Sequence, residues 1–444
     1  MIDRNEVAAK LNILLPDSSE TAAHIRAWAA VYEGRPDYLS DVIISTAQLG
    51  YSAAHEMARL VTLEFKSELS GGEALVPLWE RVINDAPIYT EFACALGGVM
   101  LKPYYNGREI ITDYVRADSF FPTSYDGKGN ITGCIFAERL CKGREYFTRL
   151  EYHRYEGNEY VVSNSAYMSE SAVSLGRSVS LVTVPEWADM DPEARFQNIS
   201  TPLYSYFRIP GVNLGDSRCP MGESIFARAM NTFKEADEQY SRILWEAQAT
   251  EPAVFADVTV LHPDDKSKKS RLSRLSNRLF KLLDVGGDDG MENMIKEYAP
   301  PIRDVSQINI FNTILRRAEF LCGLAYGTFS QVDSTEKTAT EIKASKQRSY
   351  ATVSAIQHSL KSALDNYLET VCELCAIHNL PLAGKPKASF EFDDSLVTDA
   401  ETEQKIIMQE VSAGLVSPVF YLQRRYGVTE QQALKMLPQA IDEE

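Results

Sequence analysis

The sequence predicts an α+β protein in which helical segments flank an antiparallel sheet. Apolar residues recur at helical spacing over residues 20–32 and again after residue 222. In contrast, residues 108–168 are rich in Ile, Val, Phe, Tyr and Thr, with turn-forming residues at regular intervals. The length of 444 residues allows roughly two to four domains.

The first hundred residues are predicted to be mainly helical. Residues 20–32 have an apolar face and end before Gly34 and Pro36, which both favour helix termination. Segments 51–68 and 74–84 show similar spacing.

Residues 108–168 predict an antiparallel meander. Its three long runs cover residues 131–141, 145–154 and 159–168, and turn residues separate them. The turn at 126–130 superficially resembles a calcium loop. It lacks carboxylates at alternate positions and the distal Glu, so we interpret it as a plain turn. Residues 170–222 contain several prolines and are expected to be irregular.

Two long helices are predicted on either side of a short insert. Apolar residues recur at steps of three and four over residues 222–248 and 304–325. The insert, 249–303, has an apolar strand-like run near each end, which predicts a small α/β cap. The chain would therefore leave along one helix and return along the other. Residues 326–337 are small and polar and predict a loop.

A long helix is expected after this loop. Thr338 and Glu341 match a capping box, in which each side chain accepts the other residue's backbone N–H. The helical pattern continues to about residue 379, a length that predicts a bend or an exposed rod. Residues 388–392 predict one more strand, and the tail is predicted to be helical.

The chain is acidic, with a net charge of −17. Affinity for a duplex comes mainly from cations that neutralise phosphates, so this chain should not wrap DNA. A negative wall repels phosphates and is compatible with a channel through which a duplex slides. The plainer interpretation is that the charge keeps a large protein soluble.

Neither a membrane segment nor a secretory leader is expected. No run reaches the roughly 18 apolar residues of a membrane span, and the N-terminus lacks the pattern of a leader. Seven scattered cysteines, an odd number, predict reduced and mostly buried thiols. We therefore expect a protein made in a cytoplasm.

No catalytic signature is present in the sequence. Phosphate-loop, dinucleotide-binding, serine-hydrolase and zinc-protease motifs are missing, and the six histidines are isolated along the chain. Cys372, Cys375 and His378 could share a helix face, but zinc requires four ligands and no partner pair is evident. We interpret both cysteines as packing residues. We therefore expect no enzyme activity, metal or cofactor.

A basic run within residues 266–281 is the sharpest local charge feature, since it contains no acidic residue. Its members are Lys266, Lys268, Lys269, Arg271, Arg274, Arg278 and Lys281. It could contact an acidic partner, either DNA phosphates or another protein. It could equally be a solvated loop that neighbouring aspartates balance. The run contains no interleaved aromatic residues that would indicate base stacking.

Two stretches and the order of the elements carry a family resemblance. Cys219–Phe226, which follows Arg208–Pro210 and Asn213, looks like the start of a first stem helix. Gly327–Ser330 and Lys337–Ile342, with its Thr-Ala-Thr-Glu sequence, look like a tunnel loop and the long helix after it. The chain thus resembles the portal proteins of tailed phages, most closely the branch of long-tailed phages of Gram-positive hosts. Its Cys-Pro-Met-Gly stands where that family more often has Ser and Leu.

The resemblance implies a ring-forming portal fold, with a dodecameric ring around an axial channel. Residues 1–221 and 338–395 would form the wing, with a long kinked helix and a strand in the second part. Residues 222–248 and 304–325 would form a two-helix stem. The small α/β clip, the tunnel loop and the helical crown would comprise residues 249–303, 326–337 and 396–444.

The resemblance also implies a head-tail connector at one capsid vertex, through which DNA is packaged, retained and ejected. The implied partners are double-stranded DNA, terminase, a head-completion adaptor, and the major capsid and scaffold proteins. The protein would assemble in the host cytoplasm and remain in the virion. We predict DNA contacts from the loop residues Ser330, Gln331 and Lys337. We predict clip docking of the motor or adaptor through Lys266, Lys268, Lys269, Arg271 and Arg274.

Two other functions stay open at this point. One is a nucleic-acid-processing enzyme of the packaging apparatus, which ATPase or nuclease assays would detect. The other is a monomeric interaction scaffold whose long helices pack only within the chain, which its mass in solution would reveal.

Overall fold

The computed structural model describes residues 2–16, 19–39, 45–213, 215–216, 219–250, 253–257, 280–283, 295–298, 303–331, 339–382, 384–392, 408–414, 417–426, 433 and 436. Over these ranges the chain is α+β, as predicted.

Before residue 98, the described part of the chain contains five α-helices. They are α1 (Arg4–Leu11), α2 (Ser19–Tyr32), α3 (Leu49–Thr62), α4 (Val76–Asn84) and α5 (Ala86–Leu96). Helix α3 packs against α2 and α5 because Leu49, Ala53, Met57 and Val61 recur at four-residue steps and form its buried face. The helices predicted at 20–32, within 51–68 and at 74–84 are confirmed over these bounds.

The end of the predicted helix 51–68 is wrong. Strand β1 (Phe65–Ser70) occupies it and pairs antiparallel with β14 (Lys387–Phe392). Inward and outward side chains alternate along β1, and the Phe65 ring stacks on the Phe392 ring at 4.8 Å. The strand forms because it pairs with β14. This partner lies more than 300 residues further along the chain, so the local spacing of apolar residues does not reveal it.

A buried three-stranded sheet lies at the centre of the main core. Its order is β10-β2-β3, with β2 at Gly98–Tyr105, β3 at Ile110–Arg116 and β10 at Ser205–Arg208. Helix α5 leads directly into β2, which is buried over its first six residues. Both α5 and a long helix described below pack on this sheet.

The predicted meander is confirmed and belongs to a larger sheet of order β4-β5-β6-β7-β8, with β9 beside β7. Its long strands are β5 (Ile131–Lys142), β6 (Glu145–Glu156) and β7 (Glu159–Ser169). The other strands are β4 (Phe120–Tyr125), β8 (Arg177–Val179) and β9 (Glu193–Gln197). The expectation that 170–222 is irregular is therefore wrong for the short strands β8, β9 and β10, which complete sheets begun by earlier residues.

The turn at 126–130 is held by its own side chains. Asp126 Oδ1 accepts from the backbone N–H groups of Lys128 and Asn130, each at 2.8 Å. Its Oδ2 accepts from Asn130 Nδ2. These bonds account for the carboxylate as part of a plain turn, as expected.

A buried charge cluster joins the two sheets. Lys102 on β2 is 6% exposed, and its Nζ lies 2.7 Å from Glu151 Oε2 on β6. The Glu151 carboxylate also contacts Arg149 at 3.0 Å and His153 at 2.7 Å, and the other His153 nitrogen lies 2.9 Å from the Tyr160 hydroxyl. Burial acts to raise the pKa of Glu151, but Lys102, His153 and Arg149 hold it well below its usual range. Burial lowers the pKa of His153.

The two helices around the insert are α6 (Met230–Ala249) and α7 (Asp304–Cys322). The predicted start of the first helix at residue 222 is wrong, because the preceding chain crosses α5 closely. The Ile225 N–H donates to the Cys94 carbonyl, and a Cβ on Gly222 would lie 1.9 Å from the Gly97 carbonyl oxygen. This contact requires extended chain, so a single 3₁₀ turn at Ala227–Ala229 leads into α6.

The second helix ends three residues earlier than predicted. Gly323 adopts a φ of 72° and caps α7 after Cys322, and its N–H donates to the Phe320 carbonyl.

The described part of the insert is a three-stranded sheet. Strand β11 (Ala253–Asp257) is parallel to β12 (Phe280–Leu283) and antiparallel to β13 (Ile295–Tyr298). Both predicted strand-like runs therefore contain strands. The helical component of the predicted cap lies outside the described residues.

Helix α8 (Ala339–Ile377) is one continuous helix of 39 residues. From residue 353 onwards it does not form an exposed rod, because one side is buried in the main core through Val353, Ile356, Leu360, Leu364, Tyr367, Val371 and Cys375. The predicted capping box lies outside the described residues at Thr338. In the tail, α9 (Pro418–Tyr426) begins after Ser417, whose hydroxyl accepts from the Val419 N–H.

Candidate functional site

Helices α6 and α7 form an antiparallel pair, since contacts that move up one helix move down the other. The ring of Tyr240 stacks on the ring of Phe311 at 6.0 Å. Next to Tyr240, Gln239 donates to Gln307, which lies one turn before Phe311. At the end next to the insert, Glu246 accepts from the Arg303 Nε at 2.9 Å. These contacts fix the register of the two helices.

The helix pair buries several polar side chains and exposes several large apolar ones. Asp237, Gln239 and Glu246 are buried, and Glu246 also accepts from the Arg303 backbone N–H and from Gln307. Six large apolar residues are exposed on the same pair, and we call their combined surface, which extends over more than one side of the pair, the outer apolar face: Leu244, Trp245, Val305, Ile308, Ile310 and Phe320. Trp245 is 67% exposed and Val305 66%. Exposed apolar surface that goes beyond scattered single residues is typical of a contact surface.

A buried carboxylate ties the N-terminal part of the chain to α6. Asp237 accepts from the Tyr38 hydroxyl at 2.9 Å and from the Ala47 N–H at 2.7 Å. Burial raises the pKa of this carboxyl group. One turn later, Ser241 Oγ accepts from the Ser45 N–H at 2.8 Å. The base of the helix pair is therefore held by residues that lie about 190 positions earlier.

The loop after α7 is organised by a second buried carboxylate. Glu319 has no exposed surface, and its Oε1 accepts from the N–H groups of Phe329 at 2.5 Å and Ser330 at 2.8 Å. The Gly327 N–H donates to both carboxylate oxygens, and the Ser330 hydroxyl donates to Oε2 at 2.8 Å. The carboxylate thus replaces solvent as the partner of three backbone groups.

The residues predicted to contact DNA occupy different environments. Ser330 is 5% exposed and is engaged by Glu319, so it anchors the loop and presents no surface to a duplex in this structure. Gln331 is exposed, and its backbone is bound by Asn312 on α7. Lys337 lies outside the described residues. The DNA contact of Ser330, Gln331 and Lys337 stays a prediction, and of the two described residues Gln331 is the exposed one.

Apart from Lys281 on β12, the basic run lies outside the described residues, which stop at 257 and resume at 280. Docking through this run stays a prediction for its members Lys266, Lys268, Lys269, Arg271 and Arg274.

The cysteine pair near the end of α8 lies among packing contacts. Cys375 is buried, which raises the pKa of its thiol to about 11, and the His378 ring lies 4.7 Å from the Tyr105 ring. Within the described ranges, no group of three or more His, Cys, Asp or Glu side chains is placed to hold a metal ion.

Sequence reasoning missed Asn312, Glu319 and Asp237. In an amphipathic pattern these residues look like ordinary surface positions, because their partners are backbone groups of other segments. The one available signal for Glu319 is the small, polar sequence Gly327–Ser330 shortly after it, since such a sequence can expose several N–H groups to one acceptor.

None of the described helices combines the length and hydropathy that crossing a bilayer requires. No curated protein matches the chain. A family profile described as phage portal protein, SPP1 Gp6-like, matches residues 88–444. The match covers the three-stranded sheet that contains β2 and the larger sheet that contains β5, β6 and β7. It also covers the helix pair with its insert, the loop bound by Glu319 and the tail. The chain therefore belongs to the SPP1 Gp6-like family of phage portal proteins.

Proposed function

We propose that the chain is the subunit of a closed dodecameric ring at one capsid vertex, whose axial channel passes double-stranded DNA during packaging and ejection. Family membership implies oligomeric assembly with capsid components and a place in the virion. The outer apolar face carries the proposal of a ring. It remains exposed on the helix pair, and neighbouring copies in a closed ring would cover it.

The proposed ring has the parts implied by the family. The pair α6 and α7 is the stem, and the insert that contains β11, β12 and β13 is the clip. The wing comprises residues 1–221, with the N-terminal helices and the meander, and residues 338–395, with α8 and β14. The crown is the tail from residue 396, and the tunnel loop is 326–337. In this arrangement the clip meets the terminase and later the head-completion adaptor.

The proposed mechanism is passive conduction. Twelve copies at −17 each would carry about −200, so the ring as a whole repels phosphates and does not hold the duplex tightly. The ring serves as a conduit and a docking site, and another protein supplies the work of translocation. Contact with the duplex is confined to the loop, where Gln331 is exposed.

Replacing Gln331 and Lys337 together by alanine should lower the amount of DNA packaged per particle, because the loop loses an amide and a cation that face the duplex. We expect about a two- to tenfold loss, since each contact to the backbone is individually weak. Packaged DNA is measured by nuclease protection in particles assembled with the variant. The matched control replaces the exposed Gln197 and Lys66 by alanine. Equal packaging in both variants would contradict the loop contact.

Reversing Lys268, Lys269 and Arg271 to glutamate should weaken docking of the terminase or adaptor by at least about tenfold, because like charges then face an acidic partner. The binding of purified partner to assembled rings is the measurement. The control applies the same change of charge to the exposed Lys128, Arg144 and Arg177. If both triple variants bind equally, the basic run is only a solvated segment.

A further inference from the structure

One side of α7 binds the backbone of the following loop. Asn312, Arg316 and Glu319 recur at steps of four and three, so they lie along one stripe of the helix. Together their side chains accept from or donate to backbone groups of Gly327, Phe329, Ser330 and Gln331.

Glu319 is the deepest member of this stripe. A buried carboxylate is costly unless several donors satisfy it, and here three N–H groups and one hydroxyl do so. All four donors come from residues 327–330. Gly327 has a φ of 92°, which turns the chain back towards the helix and which other residues rarely adopt. The loop backbone is therefore bent around one charge.

Among the described residues, the contacts that hold Gln331 involve its backbone. Its N–H donates to Asn312 Oδ1 at 2.7 Å, and its carbonyl accepts from Asn312 Nδ2 and from Arg316, each at 3.3 Å. The side chain of Gln331 remains exposed. This geometry fixes where residue 331 sits and leaves its side chain available to a partner.

We propose that Asn312, Arg316 and Glu319 form a backbone latch that positions the proposed DNA-contacting loop. The inference rests on the proposed function for its consequence, because the latch matters to packaging only if this loop meets DNA. The three residues are positioning residues, since they act through the loop and do not touch the duplex. The latch sets the point at which the chain, after folding back along α7, leaves the side of that helix at Gln331.

The first test is hydrogen exchange on assembled rings of the full chain. Glu319→Gln keeps the size of the side chain but removes its charge, and its new amide donors would face backbone N–H groups. We expect the amides of Gly327, Phe329 and Ser330 to exchange about ten- to a hundredfold faster, since bonds to a charged acceptor are lost. Asn309→Ala, an exposed change on the same helix, should leave these amides unaltered. Unchanged exchange in Glu319→Gln would overturn the latch.

Asn312→Ala is the milder variant, and it tests the latch if Glu319→Gln fails to form rings. It should accelerate exchange at Gln331 by about three- to tenfold while residues 327–330 stay protected. Ring yield should match that of Asn309→Ala. Unchanged exchange at Gln331 would overturn the latch at this residue.

Packaging by the same variants tests the consequence. Rings that form at normal yield, show faster exchange and package several-fold less DNA support positioning. Rings with faster exchange and normal packaging overturn it, and the three residues then only stabilise the helix end. Failure of the proposed function itself is recognised separately, because the Gln331 and Lys337 alanine variant would then package normally while the latch exchange result still holds.

Discussion

Replacing Trp245 and Val305 by glutamate is expected to convert assembled rings into single subunits of 49.7 kDa. These are the two most exposed residues of the outer apolar face, at 67% and 66%. An aromatic residue at the centre of an interface commonly contributes 2 kcal/mol or more, so its loss should weaken each contact by at least about thirtyfold. The new carboxylates would also be desolvated at every interface of a ring.

The mass distribution at a fixed protein concentration is the measurement for this variant. Because both residues are already exposed in the single chain, its unfolding midpoint in denaturant should not change. Val182→Glu is the matched control, since Val182 is 70% exposed but lies far along the chain from the helix pair. Rings that persist in the double variant would show that the subunits do not associate through this face.

Replacing Glu151 by glutamine is expected to reduce the free energy of unfolding by about 3 kcal/mol. Gln fills the same volume, but Lys102 and Arg149 then remain buried without their shared counter-charge. Denaturant unfolding of the full chain measures the change as a lower midpoint. Glu156→Gln is the control on the same hairpin, because Glu156 pairs with Arg154 and Arg195 at the surface and should contribute little. Equal midpoints in the two variants would contradict a structural role for the cluster.

The same cluster predicts how the free energy of unfolding changes as the pH falls below 7. The pKa of Glu151 and the pKa of His153 are both lower in the folded chain than their ordinary values of 4.5 and 6.5. The unfolded chain therefore binds more protons, and stability rises with pH through both windows. The contribution of His153 is complete above pH 6.5 and is lost as the pH falls through its folded pKa. The contribution of Glu151 to stability is complete above pH 4.5 and is lost as the pH falls through the folded pKa of Glu151. Unfolding midpoints that stay constant between pH 7 and pH 4 would contradict this assignment.

Local pattern was sufficient for elements whose partners are near in sequence. The meander could be predicted because β5, β6 and β7 are joined by short turns and carry their own β-forming residues. The helix pair could be predicted because the three- and four-residue repeat of apolar residues continues over most of each helix. Strand β1 could not, since it pairs with β14 across most of the chain. The start of α6 was placed too early because the contact of Gly222 with Gly97 is a tertiary constraint.

The candidate site was only partly accessible to sequence reasoning. The predicted loop after α7 is described over residues 326–331. A position in a polar loop indicates a surface residue, whereas the Ser330 hydroxyl donates to a buried carboxylate. Glu319 looks like a solvent-facing position on an amphipathic helix, and nothing local indicates that the chain folds back over it. Residues that bind backbone groups leave no complementary side chain in the sequence, and for this reason they are missed.

Native mass measured together with negative-stain imaging of the purified full chain tests the central claim most directly. The account predicts closed rings with an axial hole and about twelve subunits, a mass of about 600 kDa. A compact dimer without a hole would contradict it, because the outer apolar face would then be covered by a single isologous contact and no channel would exist.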